Sequence, residues 1–185
     1  MLARILSSAV VGIDALQVEV EVDVARGLPV FTTVGLPDNA VKESKDRVRS
    51  AVKNSGYTFP TGRITVNLAP AELKKEGAAF DLPVALGILS AESIVEAESL
   101  LEYIVLGELS LDGRVKAVRG ALSVAVAAKK LGKKLILPKA NAKEAALVEG
   151  LQVYGVDTLP EVVEFLNGRE ELPVTAVDTE AFFRK

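Results

Sequence analysis

From Leu16 to Val24 the chain alternates without a break: Leu16, Val18, Val20, Val22 and Val24 fall on one side, Gln17, Glu19, Glu21 and Asp23 on the other. A period of two puts the apolar set on one face of a strand, so the segment settles with one face on a core and the other in water. Such a strand needs sheet neighbours, and the flanking sequence offers them. Ala3 to Val11 is short, β-branched and closed by Gly12-Ile13-Asp14, while Gly27-Leu28-Pro29 turns the chain into Val30 to Val34. The expectation is three consecutive strands in a meander.

Downstream the period changes. Pro37-Asp38 opens a helix over Asn39 to Asn54, with Val41, Val48, Ala51 and Val52 on one face and Gly56 as its stop. Ile64, Val66 and Leu68 alternate as a further strand. The polar loop from Pro70 to Ala79 leads to Asp81, read as the N-cap of an apolar helix through Val84, Leu86, Ile88 and Leu89, with Pro83 tolerated in its first turn. Tyr103 to Leu109 and Arg114 to Val118 flank the turn residues Leu111-Asp112-Gly113, a hairpin signal. A small-residue helix (Ala121 to Leu131), a strand (Leu135 to Leu137), a short helix (Ala142 to Val148), a strand (Leu151 to Val156) and a helix (Pro160 to Leu166) follow. The expected class is α/β (α+β): a β-meander, then alternating α and β elements, in one domain over residues 1–168. Residues 169–185, ending Phe182-Phe183-Arg184-Lys185, read as a linker toward a further module.

The chemistry open to this chain is bounded by what it lacks. Its 185 residues contain no Cys, no His and no Trp. That removes disulfides, thiol nucleophiles, Ser-His-Asp triads and the usual zinc sites, and leaves Ser, Thr, Lys, Tyr, Asp and Glu to carry any reaction. With 49% hydrophobic and 25% charged residues the chain has the makings of a core. A net charge of -3 gives no bulk attraction to nucleic acid, so any such contact has to be local. No apolar run has the length of a membrane span, and Arg4 with Ser7-Ser8 interrupts the stretch where a signal peptide is apolar; a soluble cytoplasmic protein without membrane contact is expected.

Three segments are site-like. The Gly-containing loop from Pro70 to Asp81 feeds a helix N-terminus, where backbone N–H groups can meet an anion; a solvated connection with a capped helix is the plainer reading. Lys42, Lys45, Arg49 and Lys53 recur at helical spacing as a basic stripe suited to phosphates, although Glu43 and Asp46 also suit a solvated, salt-bridged face. Lys74 and Lys75 join them as candidate DNA contacts. Lys129, Lys130, Lys133 and Lys134 cluster at a helix C-terminus, which the helix dipole alone explains. A P-loop requires Gly, four residues, then Gly-Lys-Ser/Thr; the one Gly-Lys pair here, Gly132-Lys133, is followed by Lys134. Glu72, Glu76 and Asp81 could hold Mg²⁺, yet their spacing is not diagnostic, and no metal site is assigned.

Two segments carry a family resemblance. Lys75-Glu76-Gly77-Ala78-Ala79-Phe80-Asp81 and Gly107-Glu108-Leu109-Ser110-Leu111-Asp112-Gly113-Arg114-Val115, followed by Gly120-Ala121-Leu122 and Leu135-Ile136-Leu137-Pro138, resemble in order the proteolytic domain of Lon-type proteases. Val34-Gly35-Leu36-Pro37-Asp38 and Asn67-Leu68-Ala69-Pro70-Ala71 are closer to the N-terminal domain of the magnesium-chelatase-like AAA+ ATPases of the ComM (YifB) family, linked to natural transformation. The resemblance implies a Lon-protease-like fold, akin to the second domain of ribosomal protein S5.

The Lon mechanism is a Ser nucleophile activated by a Lys. Carried onto this chain, the Ser position is Ala79 and the Lys position Ser123. A methyl group cannot attack a carbonyl and a hydroxyl cannot replace the amine base, so the resemblance implies a domain with no catalytic residues and no cofactor of its own. It further implies an AAA+ module using ATP and Mg²⁺ elsewhere in the protein, a homo-oligomeric, hexameric ring, and work on branched DNA. RadA-type recombination proteins carry a comparable inactive domain. A protein-interaction module without DNA contact is the alternative. A peptidase or amidase built from Ser7, Ser8, Ser123, Lys74 or Lys75 is a third reading.

Overall fold

The alternating segment forms β2 (Asp14–Ala25), paired antiparallel along its length with β1 (Leu2–Val11), so that Ala9 lies opposite Leu16 and Ala3 opposite Val22. The computed structural model describes residues 1–71, 73, 75, 78–96 and 98–178. β3 (Phe31–Val34) is followed by α1 (Asp38–Asn54) and β4 (Arg63–Ala69). The meander expectation needs correcting at its third strand: β4, not β3, lies beside β2, antiparallel, and β3 runs parallel to β4 at the sheet edge. Length explains the order. β4 matches every residue of β2 from Glu19 to Ala25, whereas four-residue β3 offers a much shorter ladder, and α1 supplies the crossover that a parallel β3–β4 pair requires.

The second part adds α2 (Asp81–Ala91), β5 (Tyr103–Val105), β6 (Glu108–Leu109), β7 (Val115–Lys116), α3 (Ala121–Lys130), β8 (Lys134–Pro138), α4 (Lys139–Ala145), β9 (Val153–Val156) and α5 (Leu159–Leu166). The main sheet has the order β3-β4-β2-β1-β5-β8-β9, and β6 pairs with β7 in a separate hairpin. The expected Tyr103–Leu109 strand is therefore two strands, its first half in the main sheet and its second in the hairpin. The fold is mixed α/β with a mostly parallel sheet and five helices among the described residues.

Two apolar clusters sit on opposite faces of the sheet. Ile5, Val20, Val66, Val105 and Ile136 pack with α1, α2 and α5; Leu6, Ile104, Leu135 and Leu137 pack with α3 and α4. Neighbouring residues thus point to different clusters in β1, β5 and β8, which is why β5 and the centre of β8 are apolar at successive positions while β2, covered mainly on one side, alternates. Every residue of α2 is buried, consistent with its apolar character all round. Leu16 has the parity of the buried valines but is 47% exposed, because it lies beside the β1–β2 turn, beyond the part of β2 that β4 flanks.

The segment expected as a linker is attached over its described part. Arg169 bonds Glu164, Leu172 packs on the core and the Thr175 N–H donates to Val153 O on edge strand β9. The terminal Phe182-Phe183 lies outside the described residues. Among the described residues no helix is long and apolar enough to cross a membrane.

Candidate functional site

The position that a Lon-type nucleophile would occupy lies in a cleft of about 260 Å³ between β1, the turn ahead of α2, and the segment leading into α3. Residues Ala78–Phe80 form a single 3-10 turn that delivers the chain onto α2. Two reciprocal hydrogen bonds fix it: the Gly107 N–H donates to Ala79 O at 2.9 Å, and the Leu82 N–H donates to Gly107 O at 3.0 Å. Glycine is needed at 107, since a Cβ there would stand 2.7 Å from Val115 Cγ1 and 3.3 Å from Leu82 Cδ2. The methyl of Ala79 and the polar groups of Ser8, Glu108 and Arg119 line the cleft.

Among the described residues no hydrogen bond joins these groups as a nucleophile and its base. Ser8 is buried and its hydroxyl donates to Leu16 O at 3.3 Å. Arg119 offers only N–H donors, and none of the lining residues is a lysine. Ser123, at the Lon lysine position, lies on the first turn of α3 with its hydroxyl donating to Ile13 O at 2.9 Å. It clamps the β1–β2 turn and is not among the residues lining the cleft.

Asp81 departs from the N-cap expectation. It is the first residue of α2, fully buried, and it makes no cap hydrogen bond. Its carboxylate instead joins three elements: Oδ1 accepts from Ser44 Oγ at 2.9 Å and Arg47 Nη2 at 3.2 Å, and Oδ2 accepts from Arg47 Nε at 2.6 Å and the Leu109 N–H at 3.2 Å. Burial pushes the Asp81 carboxyl up, against the downward pull of Arg47, the Leu109 N–H and Ser44. The same contact holds the Arg47 guanidinium above its usual value. Ser44 and Arg47 escaped the sequence reading, although both fall beside Val41, Val48 and Ala51 on the apolar face of α1, where a polar residue needs a partner.

The basic stripe lies on α1 as spaced. The Lys45 ammonium sits 5.6 Å from the Phe31 ring centroid and the Arg49 guanidinium 5.4 Å from that of Phe59, over two rings that stack at 6.2 Å. Among the described residues none of Lys42, Lys45, Arg49 and Lys53 makes an ion pair; Glu43 pairs with Arg47 instead, at 3.8 Å. Lys75 is separate from this stripe, 3% exposed, with its ammonium donating to Pro70 O at 2.6 Å and Leu73 O at 2.9 Å. Lys74, Glu72 and Glu76 lie outside the described residues.

The nucleotide and Mg²⁺ implied by the family do not fit this chain's described residues. Both Asp81 oxygens are engaged within the protein, and among the described residues no group of acidic side chains is arranged to hold a metal ion. Gly132-Lys133 follows helix α3 and leads into β8, the reverse of the strand-to-helix order in which backbone N–H groups cradle phosphates.

The comparisons agree with this architecture. The family described as subunit ChlI of Mg-chelatase matches residues 20–141. The competence protein ComM of Haemophilus influenzae is 47% identical over 94% of this chain and 34% of its own length. The Escherichia coli protein YifB is 45% identical over 92% of this chain and 34% of its own. A more distant likeness, 31% identity over 54% of this chain and 15% of the relative, joins it to the archaeal Lon protease of Methanocaldococcus jannaschii and fits a Lon-like domain. The chain thus spans about a third of the length of the ComM and YifB relatives. With the ChlI match covering more than half of its residues, the chain belongs to the Mg-chelatase ChlI family, in the company of ComM and YifB.

Proposed function

We propose that this chain is a peptidase-inactive, Lon-like domain of a ComM-like AAA+ ATPase acting on DNA during recombination and natural transformation, and that its own part is DNA engagement. The observation that carries the DNA reading is the stripe Lys42, Lys45, Arg49 and Lys53, four cations on one helix without an acidic partner among the described residues. The methyl of Ala79 in the cleft, and the Ser123 hydroxyl held on Ile13 O, support the loss of peptidase chemistry. In this reading ATP and Mg²⁺ belong to a module elsewhere in the protein, which works as a homo-oligomeric, hexameric ring.

The experiment is DNA-stimulated ATP hydrolysis by the full-length protein, with and without Lys42→Gln, Lys45→Gln, Arg49→Gln and Lys53→Gln together. Basal hydrolysis is retained and DNA stimulation is lost. Equal stimulation in both proteins removes the stripe from DNA engagement. Hydrolysis of a fluorogenic peptide by the unmodified chain would contradict the inactive assignment.

An assembly role is the second reading, favoured by an exposed apolar surface. Ile13 is 89% exposed at the β1–β2 turn, with Val11 and Leu16 exposed beside it and Leu122 and Val126 exposed one turn apart on α3. The Ser123–Ile13 hydrogen bond ties the two elements together.

A further inference from the structure

β1 is paired along its whole length on one side only. At its start the Met1–Val24 pair exchanges both backbone bonds, the N-terminal ammonium donating to Val24 O at 2.6 Å and the Val24 N–H to Met1 O at 3.2 Å. From there the register with β2 runs unbroken to Val11 opposite Asp14. Bonded and non-bonded pairs alternate in an antiparallel ladder, so Ala3, Ile5, Ser7, Ala9 and Val11 aim their N–H and C=O groups at β2, while Leu6, Ser8 and Val10 aim theirs toward β5. Among the described residues β5 meets only the first of these, Leu6, opposite Ile104. After Val105 the chain turns away: the Leu106 N–H donates to Ile136 O and the Gly107 N–H to Ala79 O. The backbone groups of Ser8 and Val10 on that side thus have no hydrogen-bond partner among the described residues.

This free edge opens on the cleft that holds Ala79. Ser8 is 5% exposed, a depth at which an unmade backbone bond is costly. Ala117, Val118 and Arg119 line the same cleft. The Asn141 side chain takes both backbone groups of Val118, accepting from its N–H at 2.9 Å and donating to its oxygen at 3.0 Å, whereas those of Ala117 and Arg119 are unbonded among the described residues. Glycine at 120 keeps this segment beside β1, since a Cβ there would stand 2.6 Å from Val10 Cγ2. The two charges on the cleft are not equivalent. Glu108 helps to hold the nearby Arg47 guanidinium protonated, while Arg119, exposed, makes no ion pair among the described residues.

We propose that this cleft binds an extended polypeptide segment as an added strand on the free edge of β1, with a small side chain over Ala79 and an acidic side chain on Arg119. Ser8 and Val10 are about 7 Å apart along β1, the repeat at which an added strand offers its next pair of backbone groups. Main-chain hydrogen bonds supply the affinity, and Arg119 selects the acid. The methyl of Ala79 leaves the bound segment uncut. No residue of the α1 stripe lines the cleft, so the proposal stands apart from DNA engagement.

The test is NMR of the nitrogen-15-labelled 185-residue chain, titrated with the end-blocked peptide Ala-Val-Ala-Asp-Ala. In the free chain the Ser8 and Val10 amides exchange with deuterium at least about tenfold faster than that of Ala9, which is bonded to β2. The peptide shifts the Ser8 and Val10 amide resonances saturably, and its fully N-methylated analogue binds at least about tenfold more weakly. Val10→Pro removes a free N–H without touching the β2 ladder, and Ala79→Phe fills the cleft; each lowers affinity at least about fivefold, while Lys130→Gln/Lys143→Gln binds as the wild type. Arg119→Gln weakens this peptide but not the one with Asn in place of Asp. If Val10→Pro does not fold, Ala79→Phe and the N-methylated peptide carry the same test. Equal protection of the Ser8, Ala9 and Val10 amides, no saturable shift, or equal affinity for the N-methylated peptide overturns the proposal and leaves DNA engagement standing. Shifts of the same amides by a single-stranded oligonucleotide but not by the peptide would make the occupant a nucleic acid and overturn it as well.

Discussion

Replacing Asp81 by alanine removes the carboxylate that joins α1, α2 and β6, and its cost can be worked from the four hydrogen bonds it accepts. The Leu109 N–H, on a fully buried residue, loses its partner, at about 1–3 kcal/mol. Breaking a buried ion pair from one side costs about 3–5 kcal/mol, but the Arg47 side chain is 20% exposed and can turn toward Glu43, so the lower end applies. The terms overlap in one network, and the total is about 3–4 kcal/mol. Asp81→Asn keeps one carbonyl acceptor and costs about half as much. With a urea m-value of about 2 kcal/mol/M, the alanine midpoint falls by more than about 1 M at unchanged m. A loss below about 1 kcal/mol with m unchanged would refute the view that this carboxylate is a structural joint.

Leu86→Ala, in the buried centre of α2, destabilises by about 2–5 kcal/mol, whereas Leu16→Ala stays within about 0.5 kcal/mol despite its place in the same alternating pattern; chemical denaturation separates them. Gly107→Ala forces a methyl against Val115 and Leu82 and costs about 1–3 kcal/mol by the same measurement. The Arg169 hydrogen bond holds the Glu164 carboxyl below its usual range, so its contribution is complete above the unfolded value of about 4.3 and is lost as pH falls through the lower folded value. Glu164→Gln therefore flattens the acid limb of the stability curve, read from thermal midpoints between about pH 2 and 6. A parallel, merely displaced curve would contradict it. Ala79→Ser with Ser123→Lys gains no peptidase activity, because position 123 faces the Ile13 carbonyl and not the cleft; a fluorogenic peptide assay reads this directly.

Local patterns carried much of this fold, and long-range pairing accounts for the remainder. The Leu16–Val24 alternation identified a strand with one covered face because side-chain direction is fixed by neighbouring residues alone. Which strand lies beside it depends on ladder length and on the α1 crossover, and no local pattern encodes that. Asp81 shows the same divide. An acid at the start of an apolar helix satisfies both the capping rule and a buried ion pair, and only the approach of Ser44 and Arg47 from another helix decides between them. The stripe on α1 was legible from spacing, but its lack of acidic partners was not, since Glu43 turns to Arg47 only once Asp81 has positioned that guanidinium.

DNA engagement through α1, by a Lon-like domain without the Lon dyad, is the proposed role of this chain. The salt dependence of DNA affinity in the full-length protein tests it most directly, comparing the wild type with Lys42→Gln/Lys45→Gln/Arg49→Gln/Lys53→Gln. The account predicts a slope of log affinity against log salt shallower by roughly 3 in the variant, together with weaker binding at low salt. An identical slope and affinity would contradict it.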